Sequence, residues 1–370
     1  MKEQVDAIVI GGGVIGCSIA FYLAKKGKKV IVLERDRIAC QASSAAAGML
    51  TPLAELSEVS PLLQLAMESS KLFPGLAEEL QQISGIDVQY VHRNGTLKVA
   101  LNDEDEKKYK HIIEAYIQAG EEVAWLSGHE AREKEPQLSS AIQGAMYIPS
   151  ESHISAPDLT KAFALSVRAL GSEVREFAEV EQILMENNTA IGVQVGGERV
   201  YSDHVIVASG VWAQHVLSSS GLEAGLSPVK GECLSVYSDT PLVSSTIFTQ
   251  GCYVVPKRGG RHIIGATMIE DSYDLRVSSS SITSLLERAM YMIPAIKDAK
   301  WEKTWAGLRP RTVDGQPYIG EHPDCAGLFI AAGHYRKGIL LSAITGQLAA
   351  EWVEHRKVSS FSLAPFCVSR

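Results

Sequence analysis

The chain has 370 residues, 46% of them hydrophobic and 21% charged, which excludes a disordered protein and leaves ample material for the cores of two domains. Its formal net charge of −8 is spread along the sequence and argues against a general nucleic-acid binder. No apolar run reaches the roughly 18 residues that a transmembrane helix requires, so no membrane span is expected. Lys2, Glu3 and Asp6 lead straight into an apolar strand, so no signal peptide is expected. Cys17, Cys40, Cys233, Cys252, Cys325 and Cys367 form no Cys-x-x-Cys pair, and reduced thiols in a cytoplasmic protein are the plain expectation.

Met1 to Glu34 organises the rest. Val5 to Ile10 is a short apolar run rich in β-branched residues, as a buried parallel strand should be. Gly11-Gly12-Gly13-Val14-Ile15-Gly16 follows at once, then a helix from Cys17 and a second strand, Lys28 to Leu33, that ends on Glu34. Gly11 allows a tight turn, Gly13 lets the backbone approach a pyrophosphate, and Gly16 lets the helix pack closely on the sheet. The helix N-terminus presents N–H groups and a partial positive charge to phosphates. Glu34 lies 18 residues past Gly16, where a carboxylate accepts hydrogen bonds from ribose hydroxyls. A glycine-rich turn in an ordinary strand–helix unit is the bland alternative. Strand, helix and acid together point to a dinucleotide.

Beyond Arg35, the spacing predicts a short Ala-rich helix over 42–50 with Ser43 or Ser44 as its cap, and a long amphipathic helix from Ser60 to Ser84, broken or kinked at Pro74-Gly75. Val88 to Val91 and Thr96 to Leu101 read as a hairpin around Asn94-Gly95. Helices are expected at Asp103 to Ala119 and Ser127 to Glu135, and a strand at Gly144 to Ile148. The opening pattern returns with a helix over 156–170 and a strand at 173–177. A meander follows from Val180 to Val200, then a buried strand, His204 to Gly210. Strands are read at 226–237, 246–248, 251–255 and 261–266, a helix at 278–291, and a closing strand–glycine–helix unit from Leu328 to Val353. The expected fold class is α/β. A discontinuous Rossmann-like dinucleotide domain (1–85, 150–228 and 306–370) joins a second α+β domain (86–149 and 229–305) on a mixed or antiparallel sheet.

Six blocks carry a resemblance that runs the full length of the chain. They are Gly11 to Gly16, Ser43 to Leu50, Pro228-Val229-Lys230-Gly231-Glu232, Trp305-Ala306-Gly307-Leu308-Arg309-Pro310, Asp314 to Gly320, and Gly333 to Leu341. In these the chain resembles the FAD-dependent amino-acid and amine oxidase superfamily, and most closely the bacterial glycine oxidases of the thiamine pathway. The first block is common to many flavoproteins, and the last three together are far more specific.

The resemblance implies that Gly11, Gly13, Val14, Ile15, Gly16, Glu34 and Arg35 hold the adenosine diphosphate end of FAD, with Val180 near the adenine. It places Ala42, Ser43, Ala47, Gly48 and Met49 along the flavin ring. His334, Tyr335, Arg336, Lys337, Gly338, Ile339 and Leu340 bring a helix N-terminus to the ring's pyrimidine edge, where the reduced flavin carries negative charge. It assigns Arg309 to the substrate carboxylate, with Tyr253 and Arg336 beside it and Met268 bounding a small pocket. The implied reaction is hydride transfer from a small amino acid to flavin N5 with no side-chain base, O₂ as the oxidant, and a homotetramer as the assembly. Glycine, sarcosine and D-alanine are the expected substrates, and the imine formed from glycine could feed thiazole assembly.

Gly251 stands where some relatives carry histidine, and Lys337 where asparagine is usual. Relatives with covalent flavin have a cysteine near Leu308 and Arg309; its absence here implies non-covalent FAD. Read without the resemblance, Arg309 is more often an ordinary loop arginine before Pro310, Tyr253 is more often core packing on an alternating strand, and His334 could simply satisfy backbone groups. Arg336 at a helix start opposes the dipole, an argument for an anion nearby. The histidines show no ligand spacing and support no metal site, and no Ser/His/Asp nucleophile arrangement can be read. Two other functions fit the same motifs. One is a D-amino-acid or sarcosine dehydrogenase that passes electrons to a carrier, and the other is a flavin module of a tRNA-modifying system.

Overall fold

The computed structural model describes residues 3–56 and 58–370. Met1 and Lys2, at the head of the opening stretch, and Ser57 lie outside the described residues. Two large sheets carry the fold. In the first, Glu173–Arg175, Val30–Leu33, Ala7–Ile10, Val205–Val207 and Cys325–Ala332 lie side by side and parallel. An antiparallel meander of Val180–Glu186, Thr189–Val195 and Glu198–Tyr201 extends the sheet beyond Cys325–Ala332, and Tyr318–His322 lies antiparallel against that strand.

Strands Val30–Leu33, Ala7–Ile10 and Val205–Val207 are buried on both faces, and successive side chains divide between two cores. Ala7, Val9, Val30 and Val32 face helices Val14–Lys25, Ala156–Ala169, Pro61–Ser84 and Gly338–His355. Ile8, Ile10, Ile31 and Leu33 face the meander and helix Ala213–Ser218. The two helices nearest the glycine turn approach closely. A Cβ at Gly346 would lie 2.5 Å from Ser18 Oγ, and that hydroxyl donates to Ser342 O at 2.8 Å.

The second sheet is antiparallel but for one neighbouring pair, Thr246–Thr249 beside Thr96–Ala100. Its strongest feature is the ladder between Leu226–Tyr237 and Lys300–Thr312, which runs from Leu226 opposite Thr312 to Tyr237 opposite Lys300. The divisions expected at 228/229 and 305/306 fall inside this ladder.

Three expectations are corrected. No hairpin forms at Asn94-Gly95: Thr96–Ala100 pairs with Gly144–Ile148 and Thr246–Thr249, while Val91 makes an isolated bridge to His153. The turn signal is real, since Gly95 has φ +77°, but long-range pairing takes the strand. Helix Pro61–Ser84 continues through Pro74 without a break, its apolar side fixed by Leu65, Phe73, Leu76 and Leu80 in the core. The strand expected to reach Gly210 ends at Val207.

Candidate functional site

A cleft of about 1740 Å³, open solvent at its mouth included, runs from the glycine turn across the junction of the two sheets. At one end, strand Ala7–Ile10 delivers Gly11 at φ +111°, with space so tight that a Cβ would lie 2.6 Å from Ala208 O. Helix Val14–Lys25 starts after an extended Gly13, whose side has only Ser43 Oγ within 4 Å, at 3.2 Å. Gly16 lies behind the turn: a Cβ there would come within 2.0 Å of Gly11 O, so this glycine sets the helix against the sheet. Both oxygens of Glu34 are engaged, Oε2 accepting from Gly12 N–H at 2.6 Å and Oε1 from Asp36 N–H at 2.9 Å. The Arg35 guanidinium stacks on Trp212 at 3.9 Å. Ala178, Glu179 and Val180 close this end.

Small residues wall the middle. Helix Ala42–Ala45 begins after Gln41 with no side-chain cap; of the two expected capping serines, Ser43 instead accepts from Val14 N–H at 2.9 Å and ties this helix to the glycine turn, and Ser44 Oγ donates to Gln41 O at 3.0 Å. Gly48, at φ +78°, sits so close to the chain behind it that a Cβ would lie 1.9 Å from Ile154 O. Trp305 Nε1 donates to Ala45 O at 2.9 Å, and a Cβ at Gly307 would lie 2.5 Å from that of Ala45. The Ala-rich helix therefore packs directly on the second sheet. Ala42, Ser43, Ala47, Gly48 and Met49 line the passage between.

The far end is polar. Arg309 and Cys233 project from the paired long strands, and Tyr253 from the neighbouring strand Cys252–Pro256. Arg309 Nη1 donates to Thr267 O at 2.9 Å, and Tyr253 Oη lies 3.6 Å from Cys233 Sγ. Burial pushes the hydroxyl of Tyr253 and the thiol of Cys233 up, so both are neutral near pH 7. Helix Gly338–His355 presents its first residues, Gly338 and Ile339, to the cleft. His334 is buried, with Nε2 3.1 Å from Thr345 Oγ1, and burial depresses its pKa to about 3, which keeps the ring uncharged. Glu55 also lines this end; among the described residues its Oε2 has no hydrogen-bond partner, and it faces Arg336 at 3.6 Å and Lys337 at 3.8 Å.

Of the residues singled out from sequence, Gly16, Lys337, Leu340 and Met268 stand apart from the cleft lining. Gly16 and Leu340 are packed in the core, and Lys337 turns to Glu55. Met268 is 55% exposed at the rim, where its Sδ accepts from Tyr335 Oη at 3.6 Å. Gly251 takes φ +82° at the turn before Cys252–Pro256 and abuts Arg288. Sequence reading missed Glu55, Trp212, Cys233 and the floor residue Gly231. Gly231 and Cys233 were within reach, because they alternate on the strand that carries the Pro228 to Glu232 block.

The arrangement fits FAD on its own geometry: a glycine turn opening a helix, a fixed carboxylate 18 residues on, and a narrow apolar passage. Ser209 Oγ, buried on the cleft wall, has no hydrogen-bond partner among the described residues.

Comparison with known proteins gives the same direction. The family model described as "FAD dependent oxidoreductase" matches residues 6–352. The glycine oxidase of Geobacillus kaustophilus is 44% identical over all of this chain and 98% of its own length, and that enzyme's crystal structure superposes with a TM-score of 0.96, covering 100% of this chain and 99% of the other. The glycine oxidase of Bacillus subtilis is 37% identical over 100% of this chain and 98% of its own length. A glycine oxidase structure from Bacillus cereus matches at 43% identity and a TM-score of 0.92, covering 99% of each chain.

Proposed function

The chain belongs to the FAD-dependent oxidoreductase family, and from that premise we propose that it is a glycine oxidase. Its net reaction takes glycine, O₂ and water to glyoxylate, ammonia and hydrogen peroxide, and sarcosine and D-alanine are further substrates. When bound, FAD supplies a hydride acceptor at N5 and returns the electrons to O₂. The protein's part is to hold the amino acid. Arg309 grips the carboxylate with a planar, permanently charged fork, and Tyr253 adds a neutral hydroxyl donor. Arg336 completes the charge at this end. No side-chain base is needed, because the neutral amine's own lone pair drives loss of hydride, and orientation does the rest. The imine so formed hydrolyses, or passes on to thiazole assembly for thiamine.

The observation that supports this reading best is the position of Arg309 on the floor of the dinucleotide cleft, beyond the small-residue passage. Gly11, Gly13, Val14 and Ile15 are read as holding the pyrophosphate, Glu34, Arg35 and Val180 the adenosine, and Ala42 to Met49 the ring, with FAD non-covalent. The Gly338–His355 N-terminus is read as facing the ring's pyrimidine edge. Met268 is kept as a rim residue of the substrate pocket. The parallel sheet is read as the FAD domain and the antiparallel one as the substrate domain. A cytoplasmic homotetramer is the proposed form; no helix among the described residues is long and apolar enough to cross a membrane.

The test is the product balance in air. Glycine, sarcosine and D-alanine should each yield peroxide with consumption of O₂, while D-phenylalanine should be poor. Flavin reduction by glycine without peroxide would instead favour a dehydrogenase that uses an electron carrier.

A further inference from the structure

Two residues outside the proposed binding set determine where the Arg309 guanidinium sits. Gly231 lies on the strand beside that of Arg309, two residues from the position directly opposite it. Both residues project to the cleft face. An ideal Cβ at Gly231 would lie 2.2 Å from Nη2, 2.4 Å from Cζ and 2.6 Å from Nη1 of Arg309. The guanidinium thus lies flat in the space that any side chain at 231 would occupy. Any larger residue would displace it by about 1 Å to reach ordinary contact. The displaced atoms are the end of a flexible side chain, so the strand pair itself has no need to open.

The second contact is the carbonyl of Thr267, which accepts from Nη1 at 2.9 Å. Thr267 is fixed in turn: its Oγ1 accepts from Glu232 N–H at 2.9 Å, and its N–H donates to Glu232 O at 3.3 Å. The residues flanking Gly231 reinforce this. Lys230 and Glu232 form a buried ion pair at 2.8 Å on the opposite face of the strand. Lys230 Nζ donates to Arg276 O, and Glu232 accepts from Ser278 N–H at 3.1 Å. The segment that carries the Thr267 carbonyl is therefore pinned near both its ends to the strand that carries Gly231.

From this geometry we infer that Gly231 and Thr267 are positioning residues for the carboxylate anchor: a notch that receives the guanidinium face and a carbonyl that fixes its rotation. The inference rests on the assignment of Arg309 to the substrate carboxylate. Its consequence is selectivity for short amino carboxylates, because an arginine that cannot swing presents its free edge at one distance from the flavin passage only. Misplacement of a binding group by about 1 Å costs up to about 100-fold in productive orientation.

The experiment is anaerobic flavin reduction by glycine in FAD-loaded wild type, Gly231→Ala, Arg309→Ala and the double variant. Gly231→Ala should keep its flavin and melting temperature and raise the glycine concentration for half-maximal reduction by about tenfold or more. In the Arg309→Ala background the same change should have little effect, since there is no guanidinium to displace. Arg309→Lys, with a slimmer head group, should also be nearly insensitive to Gly231→Ala. Equal fold-changes in every background, or none in the wild type, would overturn the inference while leaving Arg309 as the anchor. A normal glycine dependence in Arg309→Ala would remove the anchor, and the inference with it. Should Gly231→Ala fail to fold, Thr267→Val carries the test: loss of Oγ1 should raise the half-saturating glycine a few-fold in the wild type and leave it unchanged in Arg309→Ala.

Discussion

Glu34 Oε2 accepts a hydrogen bond from Gly12 N–H at 2.6 Å, so the acid at the end of the second strand is tied to the glycine turn at the end of the first. With Oε1 accepting from Asp36 N–H at 2.9 Å, both carboxylate oxygens are fixed, and in the proposed reading their remaining lone pairs face the ribose. It also makes the turn and the acid a single structural unit.

Replacing Glu34 with Ala should therefore do more than remove a ribose contact. The unpaired Gly12 N–H lowers stability, while loss of a charge-assisted hydrogen bond to the ribose, about 1.5–3 kcal/mol, corresponds to FAD retention weaker by roughly 10- to 150-fold. Flavin fluorescence released on dilution measures this, and unchanged retention would show that the acid has no part in the cofactor site.

Gly16→Ala should be worse than Gly13→Ala for folding. A methyl at 16 meets the Gly11 carbonyl at 2.0 Å, in rigid backbone, whereas one at 13 meets only a serine hydroxyl at 3.2 Å. The expected result is a lowered melting temperature for Gly16→Ala and a near-normal one for Gly13→Ala. Gly13→Val should fold but fail to hold flavin, because the larger side chain stands where the pyrophosphate must approach.

Glu151 should make stability depend on pH. Its carboxyl is fully buried, and desolvation raises its pKa from an ordinary 4.5 to about 8. Between these values the folded state binds the proton more tightly than the unfolded chain does. The contribution is thus fully present below about 4.5 and lost as pH rises through about 8. Glu151→Gln keeps an acceptor for Ala54 N–H, to which Glu151 Oε1 now bonds at 2.8 Å, and removes the titration. Melting temperature should fall less for the variant than for the wild type from pH 5 to pH 8, with the variant ahead by a few degrees at the upper end. Parallel curves would contradict this.

Arg309→Ala should weaken glycine binding by roughly 10- to 150-fold, the equivalent of a charge-assisted hydrogen bond of about 1.5–3 kcal/mol. Arg309→Lys should recover part of the loss, since the charge survives without the planar fork. Flavin content should hold in both. Half-saturation of flavin reduction by glycine gives the comparison.

The glycine turn was legible because its signals are local: a buried strand, three glycines with distinct steric duties and an acid at fixed distance all lie within 34 residues. The second sheet was less so. Arg309 reads as a loop residue before Pro310, yet both lie in the 13-residue strand Lys300–Thr312. That proline is tolerated because it faces Pro228 on the partner strand, so neither backbone position has an N–H to offer. Glu55 was invisible for another reason. Its neighbours, Arg336 and Lys337, lie far along the chain, and the contact forms where helix Pro52–Glu55 and the start of helix Gly338–His355 meet, both packed against helix Pro61–Ser84. The notch at Gly231 depends on strand register, which the hydrophobic pattern alone did not specify.

The central claim is that this cleft oxidises glycine through its flavin, and the most direct measurement is the absorbance of the FAD-loaded protein titrated with glycine in the absence of oxygen. Glycine should bleach the oxidised flavin band to completion, and admission of air should restore it with one peroxide per flavin. A flavin that dithionite bleaches but saturating glycine leaves fully oxidised would contradict the account.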